Sequence, residues 1–326
     1  MRSLALILLA AALGCAPAAQ TAGTPTMDPG SRTTPVAIAP DTTPPADTTA
    51  ATDTTAPPRT PFAPPDVAQA HGWMPLAETG VSAFLKAHPD YDGRGVIIGI
   101  LDSGIDAGVD GLRVTSTGQP KLLDLRDFSG EGRIALTPVA PEGDTLVIAG
   151  HRLAGAGRVT GVAGTGSWYA GALIERPLGP LPASDVNGNG TDADTLPVVV
   201  AHAASGWVLF ADTDGDGSLA NESPVRDYLV SRETFGWHTG SARPPMTIAV
   251  NLTASRNGAP ALDLFFDNSG HGTHVAGIAA GNDMYRRPGF DGVAPGAYLL
   301  GLKIANDALG GISTTGSMLN AIGYAI

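Results

Sequence analysis

The chain has 326 residues with 43 glycines, 27 prolines and 6% aromatics, enough for one large domain or two ordinary ones, and a composition that suits short strands joined by turns over a helical bundle. The 19 basic and 31 acidic side chains give a net charge of -12 with no run of five basic residues, which argues against a phosphate-binding surface and against nucleic acid as a partner. Cys15 is the single cysteine, so no intrachain disulfide forms and nothing folded depends on thiol chemistry.

Residues 1–15 read as a signal peptide: Arg2, an apolar stretch of 10 residues from Leu4 to Leu13, then Gly14-Cys15. Ten residues are too few to cross a bilayer as a helix but suit the apolar region of a secretory signal. The expectation is an exported protein, either held at a bacterial cell envelope or secreted. Ala12-Leu-Gly-Cys15 resembles a bacterial lipobox, whose Cys is lipidated and becomes the mature N-terminus. Cys15 is then the lipidation site and the only link to a membrane; cleavage after a small residue such as Ala18 is the alternative. Residues 16–66 hold 12 of the 27 prolines and 13 threonines, with Asp-Thr-Thr repeated at 41, 47 and 53. Such a segment cannot bury enough apolar surface to offset chain entropy and reads as a disordered tether.

The composition changes near residue 67, and 67–326 reads as one folded part. His71-Gly-Trp-Met-Pro75, a helical stretch over 81–87 and Pro89-Asp-Tyr-Asp-Gly-Arg-Gly95 lead into Gly95-Val-Ile-Ile-Gly-Ile-Leu101. A run apolar on both faces suggests a central parallel strand, and reactive groups gather at the carboxyl ends of such strands. Asp102 stands at that end, followed by Ser103-Gly104. The segment 106–267 reads as mostly β: Leu196 to His202 and Gly206 to Ala211 form a hairpin with three loop residues, and Met246 to Leu252 is a further strand. Within it, Asp212-Thr-Asp-Gly-Asp-Gly-Ser218 sets Asp212, Asp214 and Asp216 at positions 1, 3 and 5 with Gly217 at 6, the start of a calcium loop. The closing bidentate carboxylate is missing, because Ser223 holds position 12 and Glu222 comes one residue early. Asp185-Val-Asn-Gly-Asn-Gly-Thr191 is a paler copy, and Asx-Gly turns between strands account for both loops without an ion. A structural calcium ion is therefore the one cofactor suggested, and none is required.

Asn268-Ser-Gly-His-Gly-Thr-His-Val-Ala-Gly-Ile-Ala-Ala-Gly281 puts His271 where a helix begins, with Ala276, Gly277 and Ala280 forming a face that another backbone approaches closely. Gly292-Val-Ala-Pro-Gly-Ala-Tyr-Leu-Leu-Gly-Leu-Lys-Ile304 is a turn and a second apolar strand. Beyond it lie a loop over 306–311 and a helix capped by Ser313 or Thr314, with Met318, Leu319, Ile322 and Ile326 on one face.

Taken together, the Asp, His and Gly-Val-Ala-Pro segments resemble the subtilisin-like serine peptidases, or subtilases. The lead-in from His71 and Pro120-Lys-Leu-Leu-Asp-Leu-Arg-Asp-Phe-Ser-Gly130 are similar to the tripeptidyl-peptidase II branch, as is the spacing of 169 residues between Asp102 and His271. The resemblance implies an α/β, three-layer subtilisin-like fold with a central parallel sheet, incomplete here, and makes 106–267 a large, mostly β insertion. It implies an Asp-His-Ser triad in which Asp102 fixes the tautomer of His271 and His271 takes the proton of a Ser hydroxyl, acting on a peptide or protein substrate. Gly310 and Gly311 resemble the segment bordering the substrate cleft, where peptide would pair as an added strand. In the family the oxyanion Asn and the Gly-Thr-Ser nucleophile lie beyond the last helix, and no Gly-Thr-Ser occurs in these 326 residues. Gly164-Thr-Gly-Ser167 and Gly316-Ser-Met318 lack the context. The expectation is the N-terminal part of a catalytic domain, inactive alone for want of the nucleophile; a pseudoenzyme ending at Ile326 is disfavoured, since it would leave the strand of Tyr298 to Ile304 without its neighbours.

Three rival readings compete with this one. Asp102-Ser-Gly104 also resembles an aspartic protease motif, but Ile105 comes after it and no second such motif is present. His271 and His274 are three apart without the acid of a zinc helix. The non-enzyme alternative is a surface-tethered, calcium-stabilised binding module.

Overall fold

Val96 to Leu101, aliphatic but for Gly99, forms the strand β1 (Ile97–Asp102), after a short helix α1 (Val81–Ala87). These belong to a computed structural model that describes residues 74–175, 185–237, 245–254 and 258–326. The export signal with Cys15, the tether over 16–66 and the lead-in at His71 lie outside the described residues.

A series of short strands succeeds β1: β2 (Leu122–Asp127), β3 (Arg133–Ile134), β4 (Thr137–Val139), β5 (Thr145–Ile148) and β6 (His151–Ala154), then the helix α2 (Ala156–Ala163). Next come β7 (Trp168–Ile174), β8 (Thr195–Ala203), β9 (Gly206–Ala211), the single-turn α3 (Tyr228–Ser231), β10 (Thr234–Gly236), β11 (Thr247–Ala254) and β12 (Pro260–Phe265). The chain then forms α4 (His271–Ala280), β13 (Tyr298–Lys303), the two-residue strands β14 (Ala305–Asn306) and β15 (Ile312–Ser313), and α5 (Thr315–Ala325).

The parallel sheet has the order β1-β13-β2, with Asp102 beside Lys303 and Lys303 beside Asp127 at the carboxyl ends. Alternate side chains leave opposite faces of a strand. Ile100 and Leu299 therefore meet Ala276 and Ala280 of α4, while Leu101, Leu300 and Leu302 meet Met318 and Ala321 of α5. Helix, sheet and helix form three layers. Two expectations are corrected here. The strand of Tyr298 to Ile304 is central, with partners on both sides, because β2, placed by its sequence position within the insertion, joins the parallel sheet. The α5 face is also turned: Leu319 is 63% and Ile326 84% exposed, while Ser317 and Ala321 are buried. A capping box between Thr314 and Ser317 sets the helix phase, and small residues let the helix lie close to the sheet.

Two four-stranded antiparallel sheets, β10-β11-β12-β3 and β4-β7-β8-β9, make up most of the segment between Asp102 and His271. Val198 and Val200 of β8 pack with Ile248, Val250, Leu262 and Leu264 of the other sheet. Val199 and Ala201, on the opposite face, pack with Leu146, Leu153 and Val159. Covering on both faces explains why β8 reads as a continuous apolar run. The β8–β9 hairpin closes on the pair Ala203 and Gly206, leaving two loop residues instead of three.

Candidate active site

The parallel sheet delivers Asp102 at the carboxyl end of β1, and α4 delivers His271 as its first residue. His271 Nδ1 lies 2.6 Å from Asp102 Oδ1, which also accepts the Ser103 N–H at 2.7 Å. An ionised carboxylate only accepts, so Nδ1 carries the proton and Nε2 keeps its lone pair. The His271 side chain is 37% exposed and that of Asp102 only 10%, which puts the imidazole in reach of solvent and its carboxylate partner out of it. Among the described residues no second carboxylate is bonded to Asp102 in the way an aspartic protease requires. His274 is exposed, and no third metal-ligating residue joins the two histidines among the described residues.

The glycines of both motifs have a steric reason. A Cβ on Gly272 would lie 2.1 Å from the Gly104 carbonyl oxygen and 3.0 Å from Asp102 Cβ. Gly104, at φ +138, would bring its own Cβ within 2.4 Å of the Phe266 carbonyl oxygen. The Asp loop and the His helix therefore touch backbone to backbone. Gly272→Ala should cost about 2–3 kcal/mol through overpacking, read as a lowered urea midpoint at unchanged slope. A cost below about 0.5 kcal/mol would show that the contact relaxes freely.

Asp267 was missed in the sequence and is central to the site. Its buried carboxylate accepts from Ser103 Oγ at 2.8 Å, Gly270 N at 3.1 Å, Thr273 N at 2.8 Å and Thr273 Oγ1. Ser103 Oγ in turn accepts the Gly272 N–H at 2.9 Å, and Thr273 Oγ1 accepts that of Asp106 at 2.8 Å. This carboxylate thus accepts the Thr273 amide in the first turn of α4 and that of the capping Gly270, and through Ser103, which takes the Gly272 amide, ties the helix start to the residue after Asp102. The readable signal was an acidic residue just before a helix start, one position upstream of the His-bearing stretch at Asn268. At the other end of α4 the carbonyls of Ile278, Ala279 and the capping Gly281 accept from Val293, Ala294 and Gly292, which holds the Gly-Val-Ala-Pro turn in place.

Beneath the site Lys303 is fully buried, its ammonium donating to the Ser103 carbonyl and pairing with Glu131 Oε2 at 3.1 Å and Asp307 Oδ2 at 3.3 Å. Burial works against its charge, but the neighbouring carboxylates of Glu131, Asp307 and Asp127 prevail and raise its pKa. Asp307 is pushed up to about 6, first by burial, with Lys303 opposing.

Gly310 and Gly311 sit at the tip of the β14–β15 hairpin in left-handed conformation, φ 75 and 77. Their N–H groups donate to Asp307 O and Asn306 O, both at 2.9 Å, so these amides close the turn and are not free to pair with an added strand. A cleft of about 560 Å³ lies near this hairpin, lined in part by Glu131, Phe266, Asn306 and Ala308, but neither Asp102 nor His271 lines it. Asp212, Asp214 and Asp216 converge after β9, with one carboxylate oxygen of each within 4.8 Å of the others.

Comparison with known proteins agrees with this geometry. The model of the subtilase family matches residues 93–326. Tripeptidyl-peptidase 2 of Arabidopsis thaliana is 28% identical over 76% of this chain and 22% of its own length, and that of Caenorhabditis elegans 27% over 75% and 22%. Pyrolysin of Pyrococcus furiosus is 26% identical over 66% of this chain and 18% of its own. A crystal structure of tripeptidyl peptidase 2 superposes with a TM-score of 0.54 at 20% identity, covering 76% of this chain and 23% of that one. The chain spans about a fifth of the length of the curated relatives it matches.

Proposed function

This chain belongs to the subtilase family of serine peptidases, and from that premise we propose that it supplies Asp102 and His271 to an Asp-His-Ser triad hydrolysing peptide bonds. The observation that carries the proposal is the 2.6 Å contact between His271 Nδ1 and a largely buried Asp102. His271 Nε2 then takes the proton of a Ser hydroxyl as it attacks the peptide carbonyl, and returns it to the leaving amine. Asp102 stabilises the imidazolium formed between these steps. The Ser, with an Asn donor for the oxyanion, is expected from sequence encoded beyond Ile326, since these 326 residues contain no Gly-Thr-Ser. Residues 1–326 alone are then inactive. The relatives' names favour release of tripeptides, with internal cleavage as the second activity to be tested. Export by way of residues 1–15, with Cys15 as the lipid attachment point, is part of the same proposal.

The test is to express the gene through its own stop codon, treat the product with a fluorophosphonate, and assay tripeptide amides with free and acetylated N-termini. Labelling of one Ser in a Gly-Thr-Ser, with no labelling of residues 1–326, is the expected result. Preference for the free amine marks a tripeptidyl-peptidase, and indifference to acetylation an endopeptidase. A full product that neither labels nor hydrolyses would overturn the proposal in favour of a binding module.

A further inference from the structure

We propose that Asp212, Asp214 and Asp216 form a calcium site that pins the end of β9 to β6, remote in role from the catalytic pair. Convergence of three carboxylates does not by itself make a site, because exposed acids cluster without an ion. The deciding observation is Asp212. It is 5% exposed, and its Oδ1 is fully buried with no hydrogen-bond donor. A carboxylate oxygen stripped of water and given no N–H or O–H costs free energy unless a cation faces it. No lysine or arginine pairs with Asp212, Asp214, Asp216 or Glu222 among the described residues.

The surrounding groups are arranged to leave the centre open. Gly217 N–H takes Asp212 Oδ2 at 3.2 Å, so the other Asp212 oxygen is the one without a partner. Glu222, one residue short of the usual closing position, turns to Thr213 instead: its Oε1 accepts Thr213 N at 2.5 Å and Thr213 Oγ1 at 2.9 Å. The place of the closing carboxylate is reached by Asn221, whose side-chain nitrogen lies 3.1 Å from both Asp214 Oδ2 and Asp216 Oδ2. Amide oxygen and nitrogen differ only by a flip. Turned over, Asn221 offers a fourth oxygen to the ion. An all-oxygen set with flexible geometry and a carboxylate at every second position suits calcium over magnesium, which demands a strict octahedron.

The loop is tied to a neighbour: Ala154 N donates to Gly217 O and Leu219 N to Ala154 O, both at 2.8 Å. An ion here therefore holds the exit of β9 against the β6–α2 corner, and its effect is on stability. With three carboxylates and no bidentate glutamate, the dissociation constant is expected on the order of 10⁻⁴ M.

The experiment uses residues 1–326 freed of divalent ions with EGTA and titrated calorimetrically with calcium chloride, in parallel with thermal melts. The Asp214→Asn/Asp216→Asn variant is the control, because both side chains are exposed and the change conserves their size. Expected are a saturable binding heat, a rise in melting temperature of roughly 5 °C at saturating calcium, and loss of both in the variant. The variant should match the parent's melt in EGTA. No binding heat and no shift with calcium, or binding retained unchanged in the variant, would overturn the proposal.

Discussion

His271→Ala, made in the gene product that carries the nucleophile, is expected to lower kcat by roughly 10⁶, the loss seen when a triad base is removed, with KM little changed. In the proposed role the side chain acts in the transition states, taking a proton as the tetrahedral intermediate forms and returning it as the amine leaves. Asp102→Asn should cost about 10⁴ by a different route. Ser103 N–H and His271 Nδ1 meet the same oxygen, Oδ1, at 2.7 and 2.6 Å, so an asparagine that keeps its oxygen there holds the tautomer but leaves the imidazolium without a counter-charge. Turned over, its amide nitrogen loses the Ser103 bond, donates to His271 Nδ1 and drives the ring proton to Nε2, leaving no base towards the Ser. The double variant should be no worse than His271→Ala alone, because the two groups act as one unit. Steady-state kinetics on the three proteins checks this, and a loss below tenfold for His271→Ala would remove the triad assignment.

Legibility of this site in the sequence tracked the range of the interactions. The apolar run before Asp102 and the helix opening at His271 are local patterns, and both elements form where the sequence places them. Strand order is not local. Nothing within Tyr298 to Lys303 states that it inserts between β1 and β2, whose partners lie far away along the chain. The two four-stranded sheets are legible only as β for the same reason. Asp267 carries several bonds to residues on both motifs, yet no periodicity marks it. Lys121 and Lys303 are harder still, since a lysine is normally solvent-facing and both are fully buried. Lys121 gives its ammonium to the Pro295 and Ala297 carbonyls at 2.7 and 3.1 Å, which anchors the Gly-Val-Ala-Pro turn.

Lys303→Met should be the most destabilising single change near the site, by about 3–5 kcal/mol at pH 8, because it leaves buried carboxylates without their cation. Methionine fills a similar volume, so a cavity contributes little. Glu131 keeps its bonds from Asp307 N at 2.8 Å and Ala308 N at 3.2 Å, but those amides do not neutralise it. Asp307 is already held at about 6 with Lys303 in place. Without the ammonium its folded pKa rises further above the unfolded value. A carboxyl whose folded pKa is raised binds a proton on folding, so stability is regained as pH falls through the folded pKa and lost as pH rises through it. The deficit of the variant should therefore be largest at pH 8 and shrink by pH 5, where Asp307 is protonated in the folded state. Urea unfolding at the two pH values measures this, and an equal deficit at both would show that lost packing, not charge, dominates. The consequence reaches Asp102 and His271 through one bond: Lys303 also donates to the carbonyl of Ser103, the residue that holds Asp102 on one side and Asp267 on the other. A Lys303→Met protein that survives folding at pH 5 should thus show a weakened coupling between Asp102 and His271.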